Sequence, residues 1–256
     1  NQIHEIQINK KNPIISAKHE EAAKIEKECM NDPMNKSKHF PFQKTMSMRG
    51  SAGKVNIYHN DKYLGDREIP VGYYQLHKKA LYHRDKHVYE VESLRKTPTG
   101  VTANLKESEE KNKATRPIVV VTLTKPLGSG VKHGVIELYR TITGYHKGDY
   151  NLPIEEWEKH DGGEVKDWEN FGWLSTHMAV KIDLPSQFIP DDNLIGKEDP
   201  GIHTIIHVLA NAAKIVAKCE ATDVEAHYEN GSIYLYDNTN EGANGVSKII
   251  SENYEK

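Results

Sequence analysis

The stretch from Gly201 to Gly245 constrains the fold of this 256-residue chain most, because its hydrophobic periodicity changes within it. Ile202, Ile205, Ile206, Leu209, Ala213 and Val216 recur at helical spacing. They form one apolar stripe on a helix that begins after Asp199-Pro200-Gly201 and ends near Cys219. After a polar turn, Ile233-Tyr234-Leu235-Tyr236 reads as a buried strand stopped by Asp237. Gly242 and Gly245 bracket a tight connection into a final helix, Val246 to Tyr254. This C-terminal part reads as an α/β domain closed by the helix that carries His203.

The middle of the chain has a different texture. Val55–Tyr58, Lys79–Tyr82, Val88–Leu94, Val101–Leu105, Ile118–Leu123 and Val135–Ile142 are short runs rich in Val, Ile, Tyr and Thr, separated by Gly, Asn, Asp or Pro. Their spacing suits a small antiparallel barrel or a strongly curved sheet. The charged run Lys106–Lys113 reads as an exposed hairpin loop, Trp157–Trp173 as an acidic connector, and Met178–Leu184 as one more strand. At the N-terminus, alternating Ile3, Ile6 and Ile8 precede Pro13 and a predicted helix from Ser16 to Met30, with Ser16 as cap and Glu20-Glu21 in its first turn. The fold class is therefore α+β, in three parts: a helical or linker element over 1–44, a basic β-rich domain over 45–148, and the α/β domain over 149–256.

Composition narrows the setting. Charged residues make up 28% of the chain, mean hydropathy is strongly negative, no run of 18 apolar residues occurs, and the N-terminus lacks a signal-peptide pattern. A cytoplasmic protein that does not enter a membrane is expected. The two cysteines, Cys29 and Cys219, are far apart and indicate a reducing compartment without a disulfide framework. The net charge of −3 hides a polarity: Lys36–Lys96 holds 13 basic against 6 acidic residues, and Gly148–Pro200 holds 4 against 13. A nucleic acid would be drawn to the first stretch and repelled by the second. Ordinary solvated faces of a charged protein are the competing account.

Several motif look-alikes fail on their missing parts. Gly50-Ser-Ala-Gly-Lys54 has two residues between its glycines where a phosphate loop has four, and Val55 where the loop has Ser or Thr. His83-Arg84-Asp85 resembles a kinase catalytic triplet, but Glu90 stands where the metal-binding asparagine belongs. His203 and His207, four apart on a helix, put both imidazoles on one face, and Cys219 with His227 would complete four nitrogen and sulfur ligands. Helical histidines are more commonly packed or hydrogen-bonded, so no metal or other cofactor is expected. The pairs Asp223 with His227 and Asp183 with His177 are chance-level acid–base combinations among 14 histidines, and no GxSxG is present. Cys219 after an apolar helix reads as a small buried hydrophobe, and no catalytic residue is assigned.

Nucleic-acid binding has the better support. Arg49 and Lys54 flank a strand start, Lys78, Lys79, Arg84 and Lys86 surround another strand pair, and Tyr58, Tyr73, Tyr74 and Tyr82 interleave among them. Cations for phosphates beside aromatic faces for bases make a single-strand platform on β-barrels. The alternative is that these tyrosines fill the core.

The serial order of pieces resembles a known family. His203 and His207 on one helix, then Cys219-Glu220, Asp223, Tyr236-Asp237, Gly242 and Gly245 follow one another as in the C-terminal accessory region of superfamily 2 DEAD/DEAH-like DNA helicases of the mitomycin-repair type. Upstream, Thr45–His59, Ala80–Leu94, Val135–Lys147 and Leu174–Pro185 fall in that family's order, so the resemblance runs from about Thr45 to the C-terminus. It departs in three places. The family's cysteine at the Cys219 position joins three more in a zinc cluster, whereas this sequence has only Cys29 besides, so a four-thiolate site cannot be assembled from it. The glycine turn is lengthened by Asn238–Glu241, and Asn31–Phe42 is too short for the family's winged-helix unit.

The resemblance implies a non-catalytic accessory region that binds single-stranded or duplex DNA and braces helicase motor domains. ATP hydrolysis would belong to the motor. The competing class is a protein-interaction scaffold, in which the acidic Asp149–Asp199 stretch and Trp157, Trp168 and Trp173 dock a partner protein. A metal-dependent hydrolase built on His203, His207 and Cys219 is a third reading.

Overall fold

A computed structural model describes residues 12–31, 53–97, 100–161, 171–189, 200–220, 222–239 and 244–253. The fold is α+β and mostly β, built on two curled sheets with a few helices. The chain divides into a central unit, Ser51–Thr122 with Tyr139–Leu174, and a terminal unit, Asn1–Gly50 with Leu123–Leu138 and Ser175–Lys256. No helix among the described residues is long and apolar enough to cross a membrane.

Helix α1 (Pro13–Asn31) starts earlier than Ser16. Its cap is Asn12, whose Oδ1 accepts the backbone N–H groups of Ile14 (2.9 Å) and Ile15 (3.2 Å), while Pro13 takes the first helical position, where no N–H is needed. Ser16 lies within the first turn and donates its own N–H to Asn12 O.

The central unit is organised by a five-stranded sheet of β1 (Lys54–His59), β2 (Lys62–Glu68), β3 (Leu81–Arg84), β4 (His87–Thr97) and β5 (Gly100–Glu107), in the order β2-β1-β5-β4-β3. The pairs are antiparallel except β1 with β5, which run parallel with Val55 opposite Val101. Asn60-Asp61 and Asp85-Lys86 both adopt positive φ, the geometry of tight hairpin turns that match strand twist. Strand β5 alternates strictly, burying Val101, Ala103 and Leu105 against Val55, Ile57, Leu76 and Val91. A short helix, α2 (Val71–Leu76), has no counterpart among the sequence-based expectations. Its Gly72 approaches β1 so closely that a Cβ there would lie 2.7 Å from Val55 Cγ2. The two edge strands are tied by side chains rather than by a ladder: Arg67 on β2 donates to the Tyr82 hydroxyl on β3 (2.8 Å), and Arg84 at the end of β3 donates to Leu64 O on β2.

The second sheet contains β6 (Lys113–Lys125), β7 (His133–Asp149), β8 (Glu158–Asp161), β9 (Gly172–Asp183), β10 (Val224–Glu229) and β11 (Ser232–Asp237). Its order is β10-β11-β9-β7-β6, with β8 also on β7. Pro117 falls in β6, the last strand of that order, the kind of position to which proline is confined in sheets. Strand β9 begins inside the stretch expected to be a connector, and β10 occupies the expected polar turn.

In the terminal unit, α3 (Pro200–Ala217) and α4 (Val246–Asn253) pack with β9, β10 and β11 around Val180, Ala213, Val224, Ile233, Leu235, Val246 and Ile250. Each buried Val, Leu or Ile among them contributes about 1.5–3 kcal/mol. The predicted stripe faces inward at Ile202, Ile205, Ile206, Leu209 and Ala213, joined by Ala210, and fails only at Val216, which is exposed together with Val208 and Ile215.

Candidate functional site

The cations expected to meet phosphate are distributed around the five-stranded sheet. Lys54, at the start of β1, is exposed and pairs with Asp66 at 3.2 Å. Tyr63 first and Lys54 second hold the Asp66 carboxyl below its usual range. Lys79 and Lys106 both bind Glu90, at 2.8 and 3.2 Å. Burial pushes the Glu90 carboxyl up, but the two ammonium groups outweigh it and keep the residue ionised. Much of the Lys79 charge is therefore neutralised within the protein. Arg84 pairs with Asp85 at 3.2 Å besides tying the seam. Lys78 is half-buried, and Lys86 is exposed in the β3–β4 turn. Lys78-Lys79 and Lys86 thus lie beyond opposite ends of β3, a strand about 13 Å long. Arg49 lies outside the described residues.

The aromatic half of the predicted platform needs correction. Tyr73 and Tyr82 are 4% and 6% exposed and belong to the central core, because α2 and the inward face of β3 carry them there. Tyr74 stays exposed, edge-on to Trp173 with ring centroids 5.3 Å apart. Half-buried Tyr58 pairs across the β1–β2 hairpin with Tyr63, which is 51% exposed, at 5.6 Å. Tyr63 escapes a sequence reading that does not recognise β2; the Asn60-Asp61 turn is the signal that could have found it. The hairpin therefore presents Tyr63 next to exposed Lys62, with Lys54 at its far end.

The C-terminal motif positions separate into two groups. Asp237, at the end of β11, accepts the Ser247 N–H at 2.5 Å and the Ser247 hydroxyl at 3.1 Å, and also bonds the Val246 N–H. A strand-end carboxylate thus caps the first turn of α4, where unpaired N–H groups and the helix dipole favour negative charge. Gly245 precedes that turn with φ of 70°, and Gly242 lies outside the described residues. Asp223 closes the neighbouring loop: its carboxylate accepts the Glu220 N–H at 2.9 Å, and its carbonyl accepts from Asn238 at 2.8 Å and Asn244 at 3.4 Å. Burial raises the Asp237 carboxyl to about 7 against its donors, with Asp223 adding to the rise. Burial first, and Asp223 second, also push the Cys219 thiol up, so it is no activated nucleophile.

His203 and His207 form the other group, exposed near the start of α3 with Nε2 atoms 3.1 Å apart. Ten steps of helix from His207 to its last residue, Ala217, put the histidines about 15 Å or more along the axis from the end that Cys219 follows, so the proposed histidine–cysteine set is not assembled. No group of three or more metal-binding side chains occurs among the described residues. His227 pairs with Glu229 at 3.2 Å.

One arrangement resembles a hydrolase triad in composition. His133 Nε2 lies 3.3 Å from Ser247 Oγ, which in turn donates to Asp237. Here serine stands between histidine and aspartate, so the carboxylate holds the serine rather than the imidazole, and Ser247 is fully buried. The trio is a helix cap, buried at Asp237 and Ser247 and half-buried at His133. His177 reinforces it, donating Nδ1–H to Asp237 O at 2.8 Å.

No family profile and no curated protein sequence matches the chain. The fold does have solved counterparts. It is similar to a crystal structure of the DUF1998 helicase MrfA bound to DNA and AMPPNP, with a TM-score of 0.55 and 15% identity, over 85% of this chain and 28% of that one. A second structure, of MrfA bound to DNA, aligns with a TM-score of 0.50 and 16% identity, over 85% of this chain and 30% of that one. The chain thus spans under a third of the length of these counterparts. At such identity the likeness is one of fold, and both counterparts are structures of a helicase, the class named by the resemblance in sequence.

Proposed function

We propose that this chain serves as the non-catalytic accessory region of an ATP-dependent DNA helicase, holding DNA and bracing motor domains that it does not itself contain. The observation that supports the reading most is the shared fold over 85% of the chain with a helicase described as bound to DNA. The β1–β2 hairpin, with Tyr63 and Lys62, and the β3–β4 turn, with Lys86, supply the chemistry such a grip requires: aromatic faces and unburied ammonium groups. Lys54, Lys78, Lys79 and Arg84 contribute positive potential around them, and DNA repair in the cytoplasm is the setting.

Fluorescence anisotropy with labelled single-stranded and duplex DNA tests this directly. Binding should weaken steeply as salt rises. Lys62→Ala with Lys86→Ala should weaken it further and flatten the salt slope by about one unit for each phosphate those ammonium groups neutralise. Affinity that does not respond to salt sinks the proposal. The scaffold reading loses Trp173 as a docking residue, since it is buried in the central core, and Trp157 folds over Gly148 while donating to Leu152 O at 3.1 Å. Trp168 lies outside the described residues.

A further inference from the structure

We infer that His203 and His207 form a surface chelate for a late first-row divalent cation such as Zn²⁺, Ni²⁺ or Cu²⁺, held by the two Nε2 atoms with the remaining positions open to water. Both residues are exposed on α3, one helical turn apart, and their rings meet edge to face with centroids 4.5 Å apart. Their Nε2 atoms converge to 3.1 Å. Two zinc–nitrogen bonds of about 2.0–2.1 Å spanning that separation enclose an angle of about 100°, between the square and tetrahedral values. The protein therefore already supplies the bite of a two-nitrogen ligand, and binding need not reorganise the helix. Imidazole suits Zn²⁺, Cu²⁺ and Ni²⁺ better than Mg²⁺ or Ca²⁺, which take oxygen donors. The alternative that the geometry also allows is one imidazole donating its proton to the other.

A bound cation would staple the first turns of α3, since the two ligands sit on successive turns of one helix. Stability should then depend on metal concentration, because only the folded helix holds both nitrogens at this distance. The site owes nothing to the helicase reading, and its test involves no DNA.

Calorimetric titration of the full chain with Zn²⁺, Ni²⁺ and Cu²⁺ chlorides near pH 7.5 should reveal a micromolar site of one ion per chain, tightest for Cu²⁺. His203→Ala and His207→Ala should each weaken it at least about 10-fold, while His227→Ala, which alters a histidine elsewhere in the unit, should leave it intact. Metal should also raise the melting temperature of the wild type by several degrees and not that of the two α3 variants. Both substitutions lie at exposed positions, and circular dichroism confirms that each variant is folded. Binding unchanged by His203→Ala and His207→Ala, or no saturable binding at millimolar metal, overturns the inference and leaves the pair as a shared-proton contact.

Discussion

At the scale of single residues, two buried titratable groups respond to pH in opposite directions. His77, 2% exposed in the central unit, donates Nδ1–H to Lys78 O at 3.0 Å, and burial lowers its pKa to about 4. The unfolded chain takes up that proton near pH 6.5, so the stability His77 contributes is complete above 6.5 and lost as pH falls towards 4. The loss amounts to about 3 kcal/mol at most. Asp237 in the terminal unit behaves in reverse: its folded pKa of about 7 exceeds the unfolded 3.8, so its contribution is complete below 3.8 and lost as pH rises through 7. Hydrogen exchange between pH 4 and 8 should show central amides losing protection in acid and α4 amides losing it towards neutrality. His77→Phe should weaken the first trend and Asp237→Asn the second. Asp237→Ala should cost about 2–3 kcal/mol in urea denaturation, since it strands the buried Ser247 N–H and hydroxyl without their acceptor.

At the scale of elements, close approach decides what the helices tolerate. Gly72→Ala would drive a methyl into Val55 and push α2 off β1, at a cost of about 1–3 kcal/mol measured by thermal denaturation. On α3, Ile215 is 78% exposed, so Ile215→Gln should change stability by no more than about 0.5 kcal/mol, although the sequence places it next to a residue of the predicted stripe. The long apolar helix and the strand at Ile233–Tyr236 are legible because continuous or periodic apolar runs survive any tertiary context. Strand β2 is not, because Lys62–Glu68 is mostly polar and pairs only with β1; β10, Val224–Glu229, does alternate apolar with polar residues, but its only large apolar side chains are Val224 and Tyr228. Asn230-Gly231, with both φ values positive, is a readable hairpin signal for β10.

At the scale of the whole molecule, the units are interleaved in sequence. Strands β6, β7 and β9 each contribute one end to the central unit and the other to the terminal unit. Ser175–Lys256 on its own would leave β9 without β7 beside it. That fragment should therefore fail to melt cooperatively, and a sharp calorimetric transition from it would refute the interdependence. The candidate site is partly legible on the same terms. Charge polarity and the hairpin cations can be counted along the chain, but which tyrosines face outwards cannot, because β3 and α2 turn Tyr82 and Tyr73 inwards while the β1–β2 register lifts Tyr63 out.

The amino-acid order by itself determined the α+β class, the β-rich middle, the α3–β11–α4 succession and the lack of a nucleotide-binding motif, since these rest on local periodicity and turn chemistry. Tertiary structure alone decided which charges are already paired, as with Glu90 between Lys79 and Lys106. It also decided that Asp237 caps a helix and that two histidine nitrogens converge to 3.1 Å. Those outcomes depend on distances between side chains that local preference does not encode, and they are set only when the sheets and helices pack.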